Sequence, residues 1–171
     1  SPRKGIVRTR EFTQAELEQF VDPDTDDPPL DRVADVSVRL YPAGEQEDPD
    51  GGYVETTVGE AVAEGIVASD WVGYYLGVAR EWYERIGVDG DRFRFRQHLP
   101  GERAHYAADC WDAESEVSGE AGDDPTDGDW IEIAGFAYRG DYDLSKHAEH
   151  GDDDFTVFEQ YDEPRTVERA V

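Results

Sequence analysis

The start of the chain brings together side chains suited to binding a nucleotide. Arg8, Arg10 and Phe12 are two residues apart, so they share one face if this segment is extended. A guanidinium can give two hydrogen bonds to one phosphate, and an aromatic ring can stack on a base. Glu16 follows Phe12 by about one helical turn and adds a carboxylate. The spacing is consistent with a nucleotide site, although a pair of surface arginines would show the same spacing.

A second candidate is Glu132, which lies inside an apolar segment beginning Trp130-Ile-Glu-Ile-Ala-Gly. We expect residues 130–139 to form a strand of buried character. A buried carboxylate is costly unless it is paired, hydrogen-bonded or bound to a metal. Two interpretations follow, a salt bridge with Arg94 or Arg96 and a Mg²⁺ ligand beside a triphosphate. The sequence leaves both open.

The histidines and the cysteine give weaker indications of a functional site. His147 and His150 precede an aspartate run, but their order does not fit zinc motifs and we expect solvated histidines in a loop. Cys110 and His105 resemble the nucleophile and base of a cysteine hydrolase, with no third member evident, so a small buried cysteine is favoured. The acidic loops at 22–31 and 123–129 lack the spacing of a calcium loop.

The elements that must position these residues indicate an α+β fold with a mostly antiparallel sheet. A capping box at Thr13 and Glu16 predicts a helix over about 14–21, with Leu17 and Phe20 on its apolar face. Further helices are expected over 58–67 and about 71–86. The second ends at Gly87, and we expect its aromatic stripe to lie in the core; the stripe comprises Trp71, Tyr74, Tyr75, Val78, Trp82 and Ile86.

Alternating residues predict strands over 5–10, 36–40, 92–98, 104–112 and 130–139. Acidic loops are expected at 22–31, 42–52 and 113–129, and the final thirty residues are expected to be mainly loop.

The composition indicates the environment in which the protein works. The 171 residues carry 42 acidic against 16 basic side chains, a formal charge of −26. Self-repulsion of this size destabilises a compact fold at low salt, so we expect a cytoplasmic protein of a halophile. An acidic interaction protein is the alternative. One cysteine excludes an internal disulfide, and no apolar run predicts a membrane span or signal peptide. The absence of methionine indicates a piece of a longer protein.

Several stretches together resemble glycyl-tRNA synthetase of the archaeal and eukaryotic type, a class II aminoacyl-tRNA synthetase. They are Ser1-Pro-Arg-x-Gly-Ile-Val-Arg-Thr-Arg-Glu-Phe-Thr-Gln-Ala-Glu16, Phe20-Val-Asp-Pro, Arg94-Phe-Arg-Gln-His98, Ala104-His-Tyr-Ala-Ala-Asp-Cys-Trp-Asp112, Trp130-Ile-Glu-Ile-Ala-Gly135 and Tyr142-Asp-Leu-Ser-Lys-His147. The resemblance implies the class II catalytic sheet, antiparallel with flanking helices. Residues 1–171 would run from the motif 2 loop to before motif 3, with motif 1 and the anticodon-binding domain outside the chain.

The resemblance also implies roles for particular residues. Arg8 matches the catalytic arginine on the ATP γ-phosphate, Phe12 the ring on adenine, and Glu16 the acid on the glycine ammonium, with Phe12 beside it. Glu132 matches an acid that contacts ATP through Mg²⁺, together with Ile133. The matching ATP-binding stretch comprises Val7, Arg8, Thr9, Arg10, Glu11 and Phe12.

The implied activity is ATP-dependent formation of glycyl-adenylate and transfer of glycine to tRNA(Gly), by a homodimer in the full enzyme. The chain has Tyr138 where the family often has aspartate, so Tyr138 is given no role. We expect the isolated segment to be inactive. The alternative is a synthetase-like binding module without catalysis, as in the accessory subunits of some DNA polymerases, although such a module would have no need to keep the arginines and acids together.

Overall fold

The computed structural model describes residues 13–22, 26–102, 108–117 and 128–151. The chain divides into two units, residues up to Arg139 and residues from Gly140 onward. The first contains strands β1 (Ser37–Tyr41), β2 (Val54–Thr57), β3 (Phe93–Gln97), β4 (Asp109–Glu116) and β5 (Trp130–Tyr138). Its helices are α1 (Ala43–Glu47), α2 (Val58–Ala63) and α3 (Asp70–Arg85), with 3₁₀ turns at Leu30–Arg32 and Gly90–Arg92. The second contains α4 (Tyr142–His150).

The five strands form one sheet in the order β2-β1-β3-β4-β5. Every neighbouring pair is antiparallel except β1 and β3, which are parallel. Helix α3 contacts β1 and β5, and α2 contacts α3 and β2. The structure thus confirms the predicted α+β class with a mostly antiparallel sheet flanked by helices.

The alternation of apolar and charged residues in β3 separates the two faces of the sheet. Phe93 and Phe95 are almost completely buried in the hydrophobic core, together with Trp111 of β4 and Leu40 of β1. The intervening arginines of β3 lie on the opposite face, because successive side chains of a strand point in opposite directions. The predicted strand over 92–98 is therefore confirmed, and its two faces have the expected character.

Helix α3 forms where it was expected, but the prediction that its aromatic stripe is core was right only in part: Tyr74 packs against the core, whereas the second half of the stripe is exposed. Its N-cap is Ser69, whose hydroxyl accepts a hydrogen bond from the backbone N–H of Val72. Its buried positions are Val72, Gly73, Leu76 and Gly77. Of the stripe, Val78, Trp82 and Ile86 are 37%, 51% and 55% exposed.

Two glycines explain which side of α3 faces the sheet. A Cβ on Gly73 would lie 2.5 Å from Cγ2 of Val62, and one on Gly77 would lie 2.6 Å from Cβ of Val33. The helix approaches its neighbours through these small residues, since a larger side chain would not fit between them. The aromatic rings occupy the sides, where Trp71 stacks on Tyr75.

Segment 13–22 contains no helix, so the predicted helix over 14–21 was wrong. Leu17 and Phe20, its expected apolar face, are 74% and 76% exposed. An eight-residue helix is marginal in water without packing, because nucleation is costly. The segment nevertheless contacts the rest of the first unit, since the Tyr75 hydroxyl bonds to Gln19 and Arg139 Nη1 lies 3.6 Å from Glu18 Oε1.

Three expected loops contain regular structure. Within 42–52, residues Ala43–Glu47 form α1, held by Gln46 Nε2, which donates to the carbonyls of Tyr41 and Gln97. Within 113–129, residues 113–116 continue β4 and pair with β5; the burial alternation shifts after Ala113, so that Glu116 rather than Ser115 is buried. The terminal region includes α4, which begins beside Asp141, whose carboxylate accepts from Ser145 Oγ.

Other boundaries shift. Helix α2 ends at Ala63 rather than 67, followed by Gly65 with φ of 73°. Strand β4 begins at Asp109, and most of the earlier part of the predicted strand over 104–112 lies outside the described residues. The predicted strand over 5–10 lies wholly outside them. The 22–31 segment is irregular where described, up to the 3₁₀ turn at Leu30. Across the described ranges, no helix combines the length and apolar character that crossing a membrane requires.

Candidate functional site

The side of the sheet opposite the core carries the chemistry-bearing residues, and we call it the polar face. It is formed by Arg94 and Arg96 of β3 with His98 directly after them, by Cys110, Asp112 and Glu114 of β4, and by Glu132 of β5. Arg94 pairs in register with Glu114, Arg96 with Asp112, and Glu114 with Glu132. Three strands therefore align two cations and three carboxylates in adjacent rows.

Glu132 is exposed, so the prediction of a buried carboxylate was wrong. The two arginines considered as its partners form ion pairs with other acids. Arg94 Nε lies 2.8 Å from Glu114 Oε2, and Arg96 Nη2 lies 2.8 Å from Glu102 Oε2. Glu132 thus keeps the solvent access that a substrate or metal ligand needs.

Ile133 points away from Glu132 and packs against the hydrophobic core. The β4–β5 register is irregular here, because Ala113 pairs with Ala134 while Glu114 pairs with Glu132. Such a bulge gives one strand an extra residue and re-aims the side chains beside it. The backbone of Ile133 is held by α3, since its carbonyl accepts from the Tyr83 hydroxyl at 3.5 Å.

Arg94 is the most enclosed cation on the polar face, with 5% of its surface exposed. Its guanidinium carbon lies 4.0 Å from the centre of the Trp130 ring and 5.2 Å from that of Tyr41. Nη1 donates to the Tyr53 hydroxyl at 3.2 Å. Burial raises the pKa of Tyr53, opposed by this hydrogen bond and by the charge of Arg94. Aromatic rings and Glu114 thus stabilise a nearly buried arginine in the same row of the polar face as Glu132, with Glu114 between the two.

Asp112 is the second carboxylate near Glu132. A Cβ placed on Gly135 would lie 3.5 Å from Asp112 Oδ1 and 4.0 Å from Glu132 Oε1, so both acids flank this glycine. Burial raises the pKa of Asp112, and the neighbouring Glu132 and Glu114 raise it further. His98, whose Nε2 lies 2.8 Å from Asp112 Oδ2, opposes this shift.

Cys110 has a histidine neighbour, but a different one from that considered in the sequence. Its Sγ lies 3.4 Å from Nδ1 of His98, whereas His105 lies outside the described residues. Cys110 is half-buried rather than enclosed in the core. His147 and His150 are exposed and lie on α4 rather than in the expected loop. Considering the described residues alone, no group of three or more His, Cys, Asp or Glu side chains could hold a metal ion.

Of the other predicted site residues, Glu16 is exposed on the irregular segment 13–22, which is part of neither the sheet nor a helix. Glu132 and Ile133 are adjacent on β5 but face opposite sides. The remaining predicted residues lie outside the described ranges; they are Val7, Arg8, Thr9, Arg10, Glu11 and Phe12.

Three polar-face residues were missed by sequence reasoning: His98, Asp112 and Glu114. The available signal was their spacing, because residues 110, 112 and 114 alternate along one strand and 94, 96 and 98 along another. Alternation assigns each set to a face, but the register that brings Glu114 opposite Arg94 depends on the sheet.

The first unit also has a surface pocket of about 310 Å³ at the N-terminus of α3. Its lining includes Ser69, Trp71, Asp109 and Tyr138. The Asp109 carboxylate is 1% exposed and accepts hydrogen bonds from Ala68, Ser69 and Trp111. Because these bonds hold the fold together, the polar face is the better candidate for chemistry.

No family model matches the chain. It is 46% identical over 173 residues to the glycine–tRNA ligase of Methanothermobacter thermautotrophicus, a match covering 100% of this chain and 29% of that protein. The corresponding values are 43% over 175 residues (98% and 29%) for Methanocaldococcus jannaschii and 45% over 172 residues (99% and 28%) for Pyrococcus furiosus.

The chain therefore spans less than a third of the length of these curated relatives. The matched region includes every stretch that carries the resemblance described from the sequence. That resemblance is confirmed: over essentially its whole length, the chain is similar to one segment of proteins named glycine–tRNA ligase.

Proposed function

We propose that this chain is part of the class II catalytic domain of a glycine–tRNA ligase, from the motif 2 loop to before motif 3. The full protein would convert glycine and ATP to glycyl-adenylate and transfer glycine to tRNA(Gly). The observation that carries the proposal is the similarity of the whole chain to proteins of that name at 43–46% identity. The polar face supports it, because an exposed acid, Glu132, lies there next to the carboxylates of Glu114 and Asp112 on β4.

The chemistry suits such a face. In adenylate formation the glycine carboxylate attacks the α-phosphate of ATP, and catalysis depends on positioning and on neutralising phosphate charge. Glu132 is an exposed oxygen donor, and Asp112 lies near it. Mg²⁺ prefers one or two carboxylates plus substrate phosphates and waters. When bound, Mg²⁺ would neutralise phosphate charge, and Glu132 would hold it.

The other assignments rest on the resemblance. Arg8 would contact the γ-phosphate, Phe12 would stack on adenine, and Glu16 would bind the glycine ammonium. Glycine has no side chain to grip, so its selection depends on the ammonium group and on excluding larger substrates. Glu16 is exposed on segment 13–22, which leaves its carboxylate available for that contact.

Two matched substitutions test the site in the full-length enzyme that carries this segment. Glu132→Gln should weaken ATP binding and raise the Mg²⁺ concentration needed for half-maximal exchange of pyrophosphate into ATP. Glu16→Gln should raise the KM for glycine with little effect on that for ATP. Glu55→Gln is the control, because Glu55 is an exposed acid on β2 paired with Arg39. Equal losses for both ligands in Glu16→Gln would contradict its role.

The activity of the isolated 171-residue chain can be compared with that of the full-length enzyme. We expect the isolated 171-residue chain to show no ATP–pyrophosphate exchange, since it spans less than a third of its relatives. Measurable exchange by this chain would overturn that expectation. For the full enzyme we expect a homodimer by sedimentation.

The proposed halophilic, cytoplasmic setting rests on the charge of −26. Molar salt shortens the range of charge repulsion to about 3 Å, so acid–acid repulsion should be largely removed. The thermal midpoint of the chain should therefore rise between low and molar KCl. A midpoint that is unchanged or falls would argue against adaptation to high salt.

A further inference from the structure

The β3–β4 ladder places a thiol, an imidazole and a carboxylate in one row of the polar face. The backbone N–H of His98 donates to the carbonyl of Cys110 at 3.0 Å, so the two residues lie directly across the strands. Cys110 Sγ is 3.4 Å from His98 Nδ1, and His98 Nε2 is 2.8 Å from Asp112 Oδ2. Asp112 is on the same face as Cys110 because it follows two residues later in β4.

This order of atoms is the one required to activate a sulfur nucleophile. A base within hydrogen-bond reach of the nucleophile, oriented in turn by a third group, is the general arrangement of nucleophilic catalysis. With the Nε2–H of neutral His98 donated to Asp112, Nδ1 is left to accept the thiol proton. The carboxylate fixes the ring orientation and stabilises the imidazolium that forms. The thiolate is the reactive form of cysteine, and a protonated histidine beside it favours that form.

The charges around the thiol are mixed. On β3, Arg96 faces Asp112 across the ladder but is ion-paired with Glu102. On β4, Asp112 and then Glu114 follow Cys110, and on β5 the residue opposite Cys110 is Ala137. Glu132 adds a further negative charge that acts on Asp112. Within the described part of the chain, His98 is therefore the cation-forming group in contact with the sulfur, while the surrounding field is acidic.

We propose that Cys110 is an activated thiol that undergoes exchange with a low-molecular-weight cationic disulfide, with His98 as its base and Asp112 as the residue that positions the base. The acidic neighbours of the thiol and the charge of −26 favour a cationic reagent over an anionic one. Cys110 is half-buried, which admits a small disulfide while limiting access to a large one. The proposal does not depend on the ligase activity.

The step balances without a further oxidant. The Cys110 proton moves to His98 Nδ1, and the thiolate attacks one sulfur of the disulfide. A new sulfur–sulfur bond forms to Cys110 while the original bond of the reagent breaks. The departing thiolate takes the proton from His98, so one thiol is released for each thiol modified. Cys110 is oxidised by the reagent, half of which is reduced.

The 171-residue chain suits the experiment because it has one cysteine, so every adduct reports on Cys110. Cystamine is the cationic probe, dithiodiglycolate the anionic one, and intact-mass spectrometry follows the adduct across pH 5–9. An isolated thiol is about 0.3% thiolate at pH 6, given a reference value of about 8.5. We expect the wild type to react with cystamine at pH 6 at least about fivefold faster than His98→Gln, since part of the gain in thiolate is offset by lower nucleophilicity.

Asp112→Asn should lower the rate of reaction with cystamine at pH 6, as His98→Gln does. Asp112→Glu should restore part of the lost rate. A merely structural role for Asp112 would leave the shape of the pH–rate profile unchanged. His150→Gln is the matched control, because His150 is an exposed histidine whose loss should leave the rate unaltered. Dithiodiglycolate should react more slowly than cystamine at low salt, and the difference should shrink in molar KCl.

The wild type in urea provides a reference that needs no variant. If the folded chain has the same pH–rate profile as the denatured chain, or if His98→Gln leaves the profile unchanged, the proposal is wrong. A folded profile shifted to lower pH, abolished by His98→Gln, supports it. Should His98→Gln fail to fold, as judged by circular dichroism, the comparison of folded and denatured wild type decides.

Discussion

Asp109 is the side chain whose neutralisation should most damage the first unit. It is 1% exposed at the start of β4. Oδ2 accepts from the backbone N–H groups of Ala68 at 2.9 Å and Ser69 at 3.2 Å, just before α3. Oδ1 accepts from the indole N–H of Trp111 at 2.8 Å. One carboxylate thus joins the N-terminus of the main helix to the central sheet and to a fully buried tryptophan.

Asp109→Asn keeps the shape but replaces one acceptor oxygen with a donor NH₂ group. If the amide NH₂ faces Ala68 and Ser69, two charge-assisted bonds are lost. If it faces Trp111, a fully buried indole N–H is left without an acceptor. A bond to a charged group contributes about 1.5–3 kcal/mol and an unsatisfied buried donor costs about 1–3 kcal/mol. Relief of carboxylate desolvation offsets part of either loss, so we expect destabilisation of about 3 kcal/mol.

Urea unfolding followed by tryptophan fluorescence measures this change. With a slope of about 2 kcal/mol per molar urea, 3 kcal/mol lowers the midpoint by about 1.5 M. Asp48→Asn is the control, because Asp48 also accepts a backbone N–H, from Asp50 at 2.9 Å, but in an exposed turn. We expect a control shift of less than about 0.5 M. If Asp109→Asn shifts the midpoint no more than the control does, Asp109 does not join helix to sheet as inferred.

Three further changes probe other contacts. Gly77→Ala should destabilise the chain by about 1–3 kcal/mol in urea titration, because its Cβ would lie 2.6 Å from that of Val33. Arg94→Gln should lower the free energy of unfolding by about 3 kcal/mol or more in the same assay, since the enclosed Glu114 loses its cation. Removing both Arg94 and Glu114 should lower it by less than the sum of the two single substitutions. Asp112 has a raised pKa, so its folded form binds a proton more tightly than the unfolded form. Its contribution to stability is present below the ordinary carboxyl pKa and is lost as pH rises through the folded pKa. Asp112→Asn should thus gain stability relative to wild type across that window, measured by urea titration at successive pH values.

The same local signature occurs twice within the described residues, and only one of the two begins a helix. Thr13 with Glu16 and Thr57 with Glu60 both fit a capping box, but only the second begins a helix, with both reciprocal bonds present. Its residues Val58 and Ala61 are buried against neighbouring elements. The apolar residues after Thr13 remain exposed. A cap sets where a helix can begin, whereas burial of its apolar face decides whether it forms.

The alternation along each strand predicted the face of the sheet on which a residue lies, but it did not predict the partner of that residue on the next strand. The alternation in Arg92-Phe-Arg-Phe-Arg96 separates the core from the polar face, and the structure follows it. The sequence could not assign Arg94 to Glu114 instead of Glu132, because the partner of a strand residue is set by register. It also favoured aromatic rings over Gly73 and Gly77 as the buried side of α3. Hydrophobicity alone does not show that close approach of neighbouring side chains requires a small residue.

The arginines of the described sheet and helices are largely committed to the chain's own acids. Six lie within 2.5–3.6 Å of a glutamate carboxylate: Arg39, Arg80, Arg92, Arg94, Arg96 and Arg139. Each such pair already balances its cation, so it adds little attraction for a phosphate. In a chain with a charge of −26, a triphosphate beside Glu132 would therefore need cations from elsewhere. The proposed arginines before residue 12 and a divalent ion held by Glu132 meet that need. This charge balance links the two halves of the proposed nucleotide site, which lie more than a hundred residues apart in the sequence.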